Sequence, residues 1–110
     1  MKVLIIVGTS LRYCPYANFY IDLFEKENID FDVVYPDKAG LRDEYGFSTI
    51  VFDWDKNKNN YFELINYRRF VLNLLKTEAY DQVVLLTTVL AVMFYSALKR
   101  KKIDYIVDFR

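Results

Sequence analysis

The sequence predicts an α/β domain of three layers, α/β/α, built on a five-stranded parallel sheet. Short apolar, β-branched runs alternate with stretches whose apolar residues recur at helical spacing. Several of those runs are apolar at every position, as expected of strands covered by helices on both faces. The length of 110 residues leaves room for one hydrophobic core.

The first strand is residues 3–7, Val-Leu-Ile-Ile-Val, closed by Gly8. Tyr16, Phe19, Tyr20, Leu23 and Phe24 then mark a helix, with Pro15 at its first position and Asn28 as its stop. Residues 31–35 form a second strand that Pro36 ends, and residues 49–52 a third that runs into Asp53-Trp54-Asp55. A connecting segment with Gly40 and Gly46 lies between them. After the polar loop 56–60, Asn60 is positioned to cap a second helix, the longest, whose stripe is Leu64, Tyr67, Val71, Leu72 and Leu75. Residues 83–86 are the fourth strand, 90–100 the third helix and 105–107 the fifth strand. Right-handed crossovers between these elements lead to the strand order 3-2-1-4-5, a Rossmann-like arrangement over residues 1–110. They send the first helix to one face and the other two helices to the opposite face, so the first face is thinly covered. A chain that stops at Arg110, just after the fifth strand, is therefore expected to be the N-terminal part of a longer protein; the alternative is a small module that covers this face by dimerising.

Composition narrows the chemistry. Fifteen basic and fifteen acidic residues balance, so no net field collects nucleic acid. The absence of histidine excludes Ser-His-Asp and Cys-His catalysis and every His-containing zinc site. The lone Cys14 fits a reducing, cytoplasmic setting, and the five apolar residues after Lys2 are too few for an export signal. Residues 83–98 carry no charge and precede Lys99-Arg100-Lys101-Lys102, but they are short for a membrane span and read as a buried strand plus helix. The basic cluster itself is a helix end favoured by the helix dipole, or a contact to an anionic membrane surface.

In open parallel sheets ligands bind beyond the carboxyl ends of the strands where strand order reverses, here between the first and fourth strands. The candidates there are Gly8, Thr9, Ser10, Arg12 and Tyr13 after the first strand, Thr87 and Thr88 after the fourth, and Asp108 with Arg110 after the fifth. Glycine permits close backbone approach, the hydroxyls donate or accept, and arginines clamp anions or hydroxyl pairs, a lining suited to a polyol or phosphate. Ser, Thr and Gly also turn chains and cap helices without binding anything. A dinucleotide fingerprint and a Walker loop are both missing. A flavodoxin-like receiver is a second reading, since Asp53 ends the third strand and Thr87 the fourth. That chemistry needs an acidic pair where Gly8-Thr9 stands and a lysine where Asp108-Phe109-Arg110 stands.

The opening Met1-Lys2-Val3-Leu4-Ile5-Ile6, the Arg12-Tyr13-Cys14-Pro15-Tyr16 segment, residues 31–35, Leu85-Leu86-Thr87-Thr88 and Ile106-Val107-Asp108-Phe109-Arg110 together resemble the start of bacterial GT-B glycosyltransferases of family four, the type that builds capsule, exopolysaccharide and lipopolysaccharide. The resemblance implies a two-domain retaining enzyme that transfers a sugar from a nucleotide-sugar donor to a glycan or lipid-linked acceptor with no obligatory metal. This chain would be its acceptor-side half, with no cofactor of its own and the donor held mainly by a C-terminal domain. By position, Gly8, Thr9 and Arg12 match the first cleft loop, and Asp108 with Arg110 the loop after the fifth strand. Many members place a histidine near that last loop, where this chain has Arg110. Peripheral contact with the inner membrane surface through Lys99, Arg100, Lys101 and Lys102 fits lipid-carried acceptors.

Overall fold

The computed structural model describes residues 1–40 and 43–108. Five strands, β1 (Lys2–Ile6), β2 (Asp30–Asp37), β3 (Thr49–Asp53), β4 (Gln82–Leu85) and β5 (Asp104–Val107), form one sheet ordered β3-β2-β1-β4-β5, with every neighbouring pair parallel. Helix α1 (Ala17–Lys26) packs on one face; α2 (Asn60–Thr77) and α3 (Thr88–Lys101) pack on the other. This is the expected Rossmann-like topology. None of the helices among the described residues is long and apolar enough to cross a membrane.

The alternation of side chains along each strand divides the core in two. Val3, Ile5, Val7, Val33 and Tyr35 meet Ala17, Ile21 and Phe24 of α1, while Leu4, Ile6, Val34 and Leu85 meet Tyr67, Val71, Phe94 and Leu98 of the other layer. The connecting segment after β2 contributes more than a link. Tyr45 and Phe47 extend the α1 face, and their rings continue a chain of contacts from Phe24 through Phe31 to Phe47 and Tyr45 and on to Tyr35. Tyr45 and Phe47 of the β2–β3 crossover therefore cover its side of this face. On the β5 side the face is more open, and Ile106, in register with Val84, stays 39% exposed.

Pro36 does not end the second strand; it pairs with Phe52, and β2 continues to Asp37. The reason lies in the direction of its missing N–H. Val33 N–H donates towards the β3 side, to Ser48, whereas Val34 C=O accepts from Val7 N–H on the β1 side. Position 36 shares the orientation of 34, so Pro36 removes a donor only from the β1–β2 ladder, in which its partner would be Val7 C=O. The fully buried Tyr67 hydroxyl supplies that bond instead, donating to Val7 O at 2.5 Å and lying 3.2 Å from Val34 O. Burial drives the Tyr67 phenol well above its ordinary pKa, so it remains a donor.

Helix boundaries follow local chemistry. The α1 start moves past Pro15 to Ala17, with Tyr16 as its cap, and Asn28 ends the helix region at a φ of 56°. The cap of α2 is Asn59 rather than Asn60: its side chain accepts from Tyr61 N–H at 2.8 Å. Glu63, one turn in, is buried, and its carboxylate accepts from Asp55 N–H and the Asn66 amide, each at 2.8 Å. Those two bonds hold its carboxyl below the usual pKa and tie the polar loop to the helix.

Candidate functional site

The carboxyl edge of the sheet opens into a crevice of about 290 Å³ where β1 and β4 lead away from each other. The β1 loop brings Gly8 and Thr9, the β4 turn brings Thr87, and Tyr16 closes the side nearest α1. Leu64 of α2 with Val89, Leu90 and Met93 of α3 forms an apolar wall. Thr87 caps α3 as well as facing the crevice, accepting from Leu90 N–H at 3.2 Å. An added Cβ on Gly8 would lie 3.7 Å from the Leu90 side chain, an ordinary contact. The protein's own packing thus does not require glycine there; room for a ligand is a separate matter.

The other sequence candidates diverge from this crevice. Ser10 is buried ahead of a short 3-10 turn, Leu11–Tyr13, and its Oγ has no hydrogen-bond partner among the described residues. Arg12 turns across the surface and pairs with Asp43 of the β2–β3 segment at 2.6 Å. Tyr13 is exposed outside the crevice, as is Thr88 in the first turn of α3. Asp108 faces the α1 side: its carboxylate accepts from the Tyr20 hydroxyl at 2.9 Å, while its backbone N–H donates to Leu85 O. Cys14 is buried nearby, and desolvation reinforced by the Asp108 charge pushes its thiol pKa up. Arg110 lies outside the described residues.

A residue not singled out in the sequence supplies the crevice's cation. Lys38, just past β2, lines the opening with its ammonium 4.6 Å from the centre of the Trp54 ring. Desolvation lowers its pKa, the response of a cation partly withdrawn from water. No carboxylate lines the crevice among the described residues. Among the described residues the site thus combines the hydroxyl-bearing side chains of Thr9, Thr87 and Tyr16, the Lys38 ammonium and an apolar wall, which suits a hydroxyl-rich or anionic ligand. Lys38 leaves no motif because it reaches the crevice from a third loop, across the sheet order.

A second polar cluster sits at the opposite, amino edge. Asp32 accepts from Ser48 Oγ and Tyr80 OH, each at 2.6 Å, and lies 3.5 Å from Lys2 Nζ. Burial alone would raise its pKa, but these partners outweigh that and hold it below the usual carboxylate range. Lys2 also donates its backbone N–H to Asp81. This cluster joins β1, β2 and β4 and is remote from the crevice.

No protein-family model matches the chain, and no curated protein does. Among solved structures, the C-terminal domain of a Pyrococcus furiosus hydrogenase resembles it with a TM-score of 0.65 and 18% identity, over 98% of this chain and 90% of that one. A second structure of that domain gives 0.65 and 16% over 96% and 89%. At these identities the likeness is one of fold, and it leads to the conclusion that this chain has a Rossmann-like α/β architecture shared with a domain of widely different sequence.

Proposed function

We propose that this chain is the acceptor-side domain of a retaining GT-B glycosyltransferase. The observation that carries the reading is the crevice at the strand-order reversal, where Thr9, Thr87 and Lys38 stand beside an apolar wall. Hydroxyls and an ammonium offer the hydrogen bonds that a sugar's hydroxyl groups need, and an apolar wall suits its C–H face. The sequence resemblance through the Arg12–Tyr16 segment and Asp108 adds the family to this chemistry. In this reading the domain positions an acceptor hydroxyl. A second, C-terminal domain binds the nucleotide-sugar donor and neutralises charge on its departing diphosphate. The work is cytoplasmic, at a glycan or lipid-linked acceptor, with Lys99, Arg100, Lys101 and Lys102 facing the inner membrane surface.

Amide NMR titration with simple methyl glycosides and, separately, with UDP-glucose tests the reading. Glycosides are expected to shift Gly8, Thr9 and Leu90, and the shifts should shrink in Lys38→Met; UDP-glucose alone should leave those amides in place. If no glycoside moves them, or if UDP-glucose alone occupies the crevice, the reading falls.

A further inference from the structure

A concavity larger than the crevice, a groove of about 450 Å³, lies between α2 and α3. Arg68, Arg69 and Lys76 line it from α2, and Arg100 and Lys101 from α3; Leu72 and Ala97 lie between them. No acidic side chain lines it among the described residues. This is a marked segregation for a chain of zero net charge. The two helices and Lys102 carry seven of the fifteen basic residues and only one of the fifteen acidic ones. That one, Glu63, is turned inward to Asp55 and Asn66.

Helix-dipole preference explains part of the arrangement, because Lys76, Arg100 and Lys101 stand in the last turns of their helices. It does not explain Arg68 and Arg69, which sit in the middle of α2. Arg68 is also held in place: its Nε–H donates to Met93 O of α3 at 3.0 Å. That bond uses one edge of the guanidinium and leaves its two terminal nitrogens for other partners. Like charges lining one groove repel, and among the described residues no carboxylate lines it to relieve them.

We infer that the α2–α3 groove is an anion-binding site, separate from the crevice, that takes a phosphoryl group. Three guanidinium groups and two ammonium groups around one depression match a doubly charged tetrahedral oxyanion, which paired guanidinium donors grip bidentately. The phosphoryl group is either free in solution, as phosphate or diphosphate, or the head group of an anionic lipid. The site is independent of the proposed sugar crevice, with which its lining has no residue in common.

The test is amide NMR titration with inorganic phosphate, pyrophosphate and sulfate, beside co-sedimentation with vesicles of phosphatidylcholine with and without phosphatidic acid. Shifts at Arg69, Asn73 and Ser96 with pyrophosphate indicate a free ligand; sedimentation only with phosphatidic acid indicates a lipid head group. Either result supports the inference, provided it weakens about tenfold when one charge-assisted contact is removed in Arg69→Gln or Arg100→Gln. Both substitutions are at exposed positions, so the fold should persist, and Lys26→Gln on α1 serves as the control. Binding unaffected by the groove substitutions overturns it. So does sulfate binding as tight as pyrophosphate, which would mean an adventitious ion only, or tighter binding of a thymidine oligonucleotide, which would mean a nucleic-acid surface.

Discussion

Replacing Tyr67 by phenylalanine removes one oxygen from the core and tests how the proline in β2 is accommodated. Val7 C=O faces the position where Pro36 has no N–H, and the Tyr67 hydroxyl is the donor that reaches it, at 2.5 Å. With Tyr67 fully buried, the substitution leaves a carbonyl unsatisfied where no bulk water can replace the bond. The expected loss is about 1–3 kcal/mol. For a chain of this size each kcal/mol lowers the melting temperature by roughly 4 °C or somewhat more. Urea and thermal unfolding followed by circular dichroism would measure both quantities, with an unchanged urea slope showing that the cost lies in the native state. Pro36→Ala restores an N–H at the position facing Val7 C=O, so Tyr67→Phe should cost less in that background than in the parent. Purely additive effects in this double-mutant cycle, or a Tyr67→Phe loss under about 0.5 kcal/mol, would refute the account of the ladder.

Further outcomes follow from the other polar contacts. Asn59→Ala should cost about 1 kcal/mol in urea unfolding as a lost helix cap, and Asn60→Ala clearly less. Asp32 has a folded pKa below its unfolded one, so its partners' stabilisation is complete above an unfolded value of about 3.9 and is lost as pH falls through the lower folded value. Urea midpoints between neutral pH and pH 2 should therefore fall less steeply in Asp32→Asn than in the parent, although the variant starts from lower stability. Gly8→Ala should leave the melting temperature within a degree or two by van der Waals fit, roughly the scatter of a neutral surface change, while weakening any glycoside titration at the crevice.

The strand order and the division of helices between faces were legible in the sequence because both depend on local periodicity and on the handedness of crossovers. The β-branched run at residues 3–7 and the 67-71-75 stripe declare which sides are buried before any contact is known. The crevice's place followed from strand order, and with it Gly8, Thr9 and Thr87. Other features depend on distances between segments remote in the chain. Arg12, a candidate clamp by its position after the first strand, pairs with Asp43, Asp108 accepts from Tyr20, and Lys38 reaches the crevice from a loop outside the β1–β4 pair. The basic groove likewise needs α2 and α3 side by side: only then do Arg68 and Arg100, more than thirty residues apart, share one depression. Periodicity specifies which face of an element turns inward, since that is a property of neighbouring residues. Which polar side chains meet is decided by register and packing, since both partners must first be brought together in space.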